Sequence, residues 1–386
     1  MITVSVKDFG AVGDGFNDDY FSFQSALDSG AEMITVPTGI YAISDTLRVP
    51  SNTTIIADKC AKIVMKGGKR RRRGDFLITN KDQKEGNSDI RLIGGIWCGN
   101  NQSPEMQKPD IYDMKGYSGA VICFIGVKEL EIRDLVISNS VTYNIRLSRI
   151  HGFHIENVDF ISDLFGVNQD GVHLGGDVHH GVIRNIRALS YGQTNDDLIA
   201  LNADDCVERV ENLDLSRDAI EDITVENIYA ENCHTILRLL SVTAPIRNVR
   251  IKNVFGGYRC NAINIDGARY CRTPLFRESD YPQGVGAIEN VTIEDFTCVP
   301  ITQVPDSWGG SGPYEATAIV AETAMKSVTV SNFRICKPQG AESAKALIAR
   351  NLVAQDITVD SEHHRLENKK DMLILDSFEN IVFGGF

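Results

Sequence analysis

Ile223-Thr224-Val225-Glu226-Asn227-Ile228 decides the reading of this chain: apolar and polar residues alternate, then an Asn stands just before the next apolar side chain. The same pattern recurs as Leu130/Ile132/Asp134/Leu135, Phe153/Ile155/Asn157/Val158, Val249/Ile251/Asn253/Val254, Val291/Ile293/Asp295/Phe296 and Val328/Val330/Asn332/Phe333. A period of two predicts a strand with one buried face. An Asn or Asp at one fixed place after it predicts a turn that accepts unusual backbone angles or stacks its side chains into a ladder. The spacings between first positions include 23 and 26 residues, with others such as 42 and 37 that accommodate bigger loops or an additional coil. Repetition at this period predicts an all-β solenoid of stacked coils, a parallel β-helix.

At roughly 150 residues per domain, 386 residues would ordinarily mean two or three. A solenoid escapes that limit because each coil contacts only its neighbours. The reading is therefore one domain, 1–386, with an N-terminal cap and first strands in 1–45 and coils over 46–386. A composition 42% hydrophobic and 24% charged fits an ordinary globular chain, neither disordered nor membrane-embedded. The net charge of −13 opposes nonspecific nucleic-acid binding. Nine cysteines without a CxxC pair read as small buried hydrophobes. A structured motif begins within a few residues of Met1, so a complete chain would be cytoplasmic and a processed one secreted.

Near the start, Asp8-Phe9-Gly10-Ala11 runs through Gly13-Asp14-Gly15 and Asp18-Asp19 to Val36-Pro37-Thr38-Gly39-Ile40-Tyr41. Tyr20 to Leu27 forms an amphipathic helical stretch that Asn17 or Asp18 can cap and Gly30 can end. This opening resembles the N-terminal cap of the pectate-lyase-like β-helix superfamily. The resemblance, with the right-handedness of parallel crossovers, implies a right-handed β-helix. Asp18 and Asp19 read as cap residues, away from any active groove.

Three segments follow in order: Tyr143-Asn144-Ile145, then Asn168-Gln169-Asp170-Gly171-Val172-His173-Leu174, then Asn195-Asp196-Asp197-Leu198-Ile199-Ala200-Leu201. In a stack of parallel strands, residues one coil apart sit roughly 4.8 Å from each other, so Asp170 can lie beside Asp196 and Asp197. Inverting glycoside hydrolysis needs one protonated carboxyl for the leaving oxygen and one ionised carboxylate to activate water. Clustered aspartates raise one another's proton affinity, which supplies both forms at once. These segments resemble the polygalacturonase-type glycoside hydrolases of family 28. The resemblance implies Asp196 as general acid, with Asp170 and Asp197 holding the water, and a carbohydrate partner with no cofactor or metal. The competing reading makes these aspartates turn residues.

The family's later motifs are altered here. Its His-Gly becomes Asn232-Cys233-His234-Thr235, a one-position shift that would turn His234 to the opposite face of a strand. Both a site role and a satisfied surface histidine stand for His234. Where the family carries Arg-Ile-Lys, the chain reads Asn264-Ile265-Asp266, which removes the cations that select a uronate. The expectation is therefore a glycan other than plain polygalacturonate. Arg238 either restores one cation or faces solvent. Arg146 and Arg149, read as sharing an outer face, would line the other end of the groove, and Asn168 and His173 would join the site. His179-His180 falls in a turn where metal binding would lack carboxylate or cysteine partners. Lys69 to Arg73 reads as a solvated loop or a guide for an anionic chain, and Trp97 as buried against its loop.

Two rivals remain. The first is a calcium-assisted polysaccharide lyase, with aspartate oxygens on the ion and Arg238 as base. The second is a non-catalytic glycan-binding or tail-spike-like solenoid. Strand patterns continue through Ile357-Thr358-Val359 and Phe378 to Phe383, with no trimerisation module legible, which favours a monomer.

Overall fold

In a computed structural model, residues 2–66, 76–103, 119–205, 215–267, 278–282, 284–301 and 317–384 are described. The basic run Lys69 to Arg73 lies outside them. The fold is all-β and built from parallel ladders. Strand Ile122–Ser138 pairs with Ile145–Ile161, which pairs with Val178–Ala188, and the series continues through Ile220–Leu240, Ile246–Asp266, Ile288–Pro300 and Met325–Ile335. In-register pairing aligns Ile132, Ile155, Ile183, Val225, Ile251, Ile293 and Val330, all buried in one core stripe. The coil containing Gly181, Ile183 and Asn185 escapes the sequence pattern because Gly181 replaces its first apolar residue. A Cβ there would meet the Phe153 ring at 1.9 Å, so the Phe of the preceding coil fills the vacant core position.

The Asn/Asp positions form the predicted ladder. Asp134, Asn157, Asn185, Asn227, Asn253, Asp295 and Asn332 all adopt left-handed backbone angles, φ between 50° and 58°. Asn157 donates to Asp134 at 2.7 Å, Asn185 to Asn157 at 2.8 Å, Asn227 to Asn185 at 2.9 Å and Asn253 to Asn227 at 2.7 Å. Asn and Asp suit such corners because their short polar side chains tolerate this region.

The helix Tyr20–Leu27 packs Phe23, Ala26 and Leu27 into the core. Asp18 accepts the Tyr20 N–H at 3.1 Å, while Asp19 instead takes the backbone N–H groups of Val12 and Gly13 at 2.6 and 3.1 Å. Asp18 thus meets the helix start as expected, whereas Asp19 stands at the N-cap position without a side-chain cap bond. The C-terminal region departs from expectation. Ile381–Phe383 pairs antiparallel with Met325–Ile335 and with Gln355–Val359, and Met372–Leu375 pairs antiparallel with Leu347–Arg350. The chain folds back on the last coil, occupying strand edges that would otherwise be open. Trp97 is fully buried, with its indole N–H donated to the Gly94 carbonyl at 3.0 Å. Cys98, Cys123, Cys233 and Cys298 are buried thiols, whereas Cys60 and Cys336 are exposed, which corrects the uniform reading. Among the described residues, no helix is long and apolar enough to cross a membrane.

Candidate active site

Val172–Leu174 and Asp197–Asn202 stack in register, Val172 on Ile199 and His173 on Ala200, and the Gly171 N–H donates to the Asp197 carbonyl at 2.9 Å. Asp170 and Asp197 therefore occupy equivalent places on adjacent coils. Gly171 permits this approach: a Cβ there would lie 2.3 Å from the Leu198 carbonyl and 2.9 Å from the Phe160 ring. The next coil contributes Thr235 opposite Asp197 and Arg238 opposite Ala200, followed by Asn264. His173 and Arg238 thus share one face, with the small Ala200 between them.

Asp170 Oδ2 lies 2.7 Å from His173 Nδ1, both side chains being buried. The His173 ring meets Tyr143 edge-on at 4.9 Å, and the Arg146 guanidinium sits 4.5 Å from the Tyr143 ring centroid. Arg146 stands opposite His173 in register, buried on the same face one coil earlier, and Asn168 donates to the Tyr143 hydroxyl at 3.2 Å from an equally buried position. Arg149 does not share the face of Arg146: it occupies a left-handed corner at φ 53° and donates to the carbonyls of Gln83 and Lys84. Residues three apart alternate to opposite faces in a strand, and the corner turns Arg149 away altogether.

Asp197 carries a strongly perturbed carboxyl. Burial pushes it up from the ordinary 3.8 to about 7, with Asp196 and Asp266 adding to the rise and Arg238 and His173 opposing it. Arg238 Nη1 lies 3.3 Å from Asp197 Oδ2, and its Nε and Nη2 reach Asp266 Oδ2 at 3.0 and 2.9 Å. Asn264 donates to the same Asp266 oxygen at 2.9 Å. Arg238 therefore bridges two carboxylates instead of facing solvent. Its neighbour His234 turns toward the site, with Nδ1 3.9 Å from Asp196 Oδ1. The one-position shift in sequence is absorbed by register irregularities between Ala230 and Cys233 and between Cys233 and Thr235. The side chain of Asp196 is 13% exposed against 3% for Asp170 and 3% for Asp197, so the accessible edge runs along Asp196, His234 and Arg238.

Arg259 is the positioning group that sequence reasoning missed. Its Nη2 donates to the Gly192 carbonyl at 3.0 Å and to Asn195 Oδ1 at 2.8 Å, while Asn195 donates to the Gly166 carbonyl at 2.8 Å. The His234 N–H holds the Thr194 carbonyl at 2.8 Å. These bonds fix the turn that presents Asp196. An Arg alternating with Tyr258 and Cys260 carries no local signal of a partner some sixty residues earlier. The pairing of Asp266 with Arg238 was equally hidden.

Asp196, Asp197 and His234 offer ligand atoms within 4.8 Å of one another, as do His151, Asp177 and His179. The second group corrects the expectation for His179-His180. His179 meets both Asp177 and Glu221 at 3.0 Å, and His180 meets Asp222 at 3.2 Å. Glu221 and Asp222 come from the next coil, beyond the reach of local spacing, whereas Asp177 stands two residues before His179 and was legible in the sequence.

Stacked parallel coils bearing a buried carboxylate cluster define a pectate-lyase-like architecture. The family model described as rhamnogalacturonase A/epimerase, pectate lyase-like, matches residues 3–259, and the chain belongs to that family. The preneck appendage protein of Bacillus phage PZA is 36% identical over 99 residues, 26% of this chain and 12% of that protein. The putative phage-related protein YobO of Bacillus subtilis is 28% identical over 160 residues, 42% of this chain and 19% of that protein. The chain thus spans less than a fifth of the length of these curated relatives. Among solved structures, the pre-mature bacteriophage phi29 gene product 12 superposes with a TM-score of 0.64 at 18% identity, covering 86% of this chain and 42% of that one. The endo-xylogalacturonan hydrolase of Aspergillus tubingensis gives 0.59 at 13% identity, covering 96% of this chain and 100% of that one. At these identities the structural likeness is one of fold.

Proposed function

We propose that this chain is a right-handed parallel β-helix that hydrolyses a glycan with inversion, using Asp170, Asp196 and Asp197. The observation that carries the reading is the buried Asp197, raised to about 7 beside a second, more accessible carboxyl. Adjacent interacting carboxyls titrate as a pair, so the Asp196–Asp197 pair holds a proton up to near-neutral pH. Asp196, at the accessible edge, delivers that proton to the leaving oxygen. Asp170, fixed by His173, acts as the base that activates water, with Asp197 helping to orient it. Arg238 and His234 line the approach, and Asn264 steadies Asp266 against Arg238.

The carboxylate of Asp266 stands where the family resemblance expects a cation, and it neutralises much of Arg238. This supports a neutral or differently linked glycan in preference to polygalacturonate. Incubation with a panel of microbial and plant oligosaccharides, recording reducing ends and ultraviolet absorbance together, tests the proposal. Reducing ends without absorbance are expected, and Asp196→Asn should slow their release roughly 10²–10⁴-fold. Efficient cleavage of polygalacturonate would refute the specificity, and an unimpaired Asp196→Asn would refute the mechanism. Ultraviolet absorbance would indicate elimination instead, a reaction for which Arg238, held as a cation between two carboxylates, is a poor base.

The phage appendage relatives favour a second reading, a glycan-binding module that does not cut. Saturable binding to an oligosaccharide that is recovered intact after long incubation would support it.

A further inference from the structure

We propose that His151, Asp177 and His179 form a binding site for a borderline divalent transition metal such as Zn²⁺, which clamps two adjacent coils. The site lies outside the Asp170–Asp196–Asp197 cluster and does not depend on the reading given to it.

Parallel register sets His151 directly against His179, one coil apart, with ring centroids 4.7 Å from each other. Asp177, at a left-handed corner with φ 61°, projects between them. The Nε2 atoms of both rings lie 3.0 Å from the same carboxylate oxygen, Asp177 Oδ1. A neutral imidazole nitrogen without hydrogen is an acceptor, and so is a carboxylate oxygen, so a cation has to lie between each nitrogen and that oxygen. Two protons, one on each ring, meet that requirement. A single metal ion meets it for both rings at once.

The surroundings of His179 favour the metal. Its other nitrogen, Nδ1, faces Glu221 Oε1 at 3.0 Å, and Glu221 is held in turn by Arg247. Donation of Nδ1–H to Glu221 leaves the Nε2 lone pair directed at the site. A carboxylate that orients a ligating histidine in this way is a recurrent feature of metal centres. Two imidazoles and one carboxylate suit zinc, nickel or copper better than calcium or magnesium, which prefer all-oxygen shells. The three ligand atoms lie within 4.8 Å of one another, so small side-chain rotations bring them to bonding distance. The side chains are 45%, 26% and 14% exposed for His151, Asp177 and His179, which leaves solvent access for an ion and for water in its remaining positions.

The test uses the whole chain stripped of metal with a chelator. Titration with Zn²⁺, followed by calorimetry and thermal unfolding, should show saturable binding of one ion and a melting temperature that rises with metal concentration. In His151→Gln/His179→Gln both effects should disappear, while Asp196→Asn/His234→Gln should retain them. Glu221→Gln should weaken binding by roughly 10–100-fold. Substitution with Cu²⁺ gives an independent readout: paramagnetic resonance should report two coordinating nitrogens in the wild type and one in His151→Gln. Absence of saturable Zn²⁺ binding would overturn the proposal. So would binding that survives His151→Gln/His179→Gln, or that is lost in Asp196→Asn/His234→Gln, since either places the ion elsewhere.

Discussion

Replacing Asp197 with asparagine separates the electrostatics of the site from its shape, because the two side chains are nearly isosteric. Burial raises Asp197 from the ordinary 3.8 to about 7, a proton affinity about a thousandfold higher in the folded chain, worth about 4 kcal/mol. Because the folded state binds this proton more tightly than the unfolded state, the stability contributed by the group is fully present below about pH 4. It is lost progressively as pH rises toward about 7 and then levels off. The amide of the Asp197→Asn variant has no proton to lose. Between pH 5 and pH 8.5 the stability of the wild type relative to the variant should therefore fall by about 2–3 kcal/mol. For a chain of this length, at about 2.1 cal/mol/K per residue, that corresponds to about 3 °C in melting temperature. Urea denaturation and calorimetry of both proteins across this range provide the assay. Asp196→Asn, which removes a like charge, should shift the midpoint of the wild-type decline to lower pH. Parallel pH profiles for wild type and Asp197→Asn would refute the reasoning.

Other consequences follow from the corners and from the loop that carries Asp196. Asn227 both donates to Asn185 and accepts from Asn253 at a left-handed φ of 58°. Asn227→Ala should cost about 1–2 kcal/mol by chemical denaturation, and Asn227→Gly less, because glycine removes the backbone component and leaves only the lost side-chain bonds. Arg259→Met should lower turnover more than glycan affinity, since it frees the Gly192–Asn195 turn while leaving Arg238 and His234 in place. Equal losses in kcat and binding would show that Arg259 does more than position that turn. Hydrolysis should decline above about pH 7 as the Asp196–Asp197 pair loses its proton, and a rate that rises through that range would contradict the assigned acid.

Legibility in the sequence followed the range of the forces involved. The alternation of apolar residues and the Asn or Asp after each strand were readable because strand periodicity and left-handed corners are imposed within a few residues. In-register stacking then extended that local rule along the chain, so that Asp170 was expected beside Asp196 and Asp197. The Gly181 coil escaped because its core position is filled from the preceding coil by Phe153, so the volume is conserved between neighbours and not within one repeat.

The sequence by itself determined the strands and their corners, because each rests on local preference multiplied by repetition, and it set three aspartates about one coil apart. Tertiary structure alone decided the electrostatic partners. Irregular register in Ile220–Leu240 returned His234 to the site face, and stacking gave Arg238 to Asp266 as well as Asp197. The same stacking brought two histidines and a carboxylate together at His151, Asp177 and His179. Charges interact through space over a few ångströms whatever their separation in the chain, so these pairings became readable only once the coils were stacked.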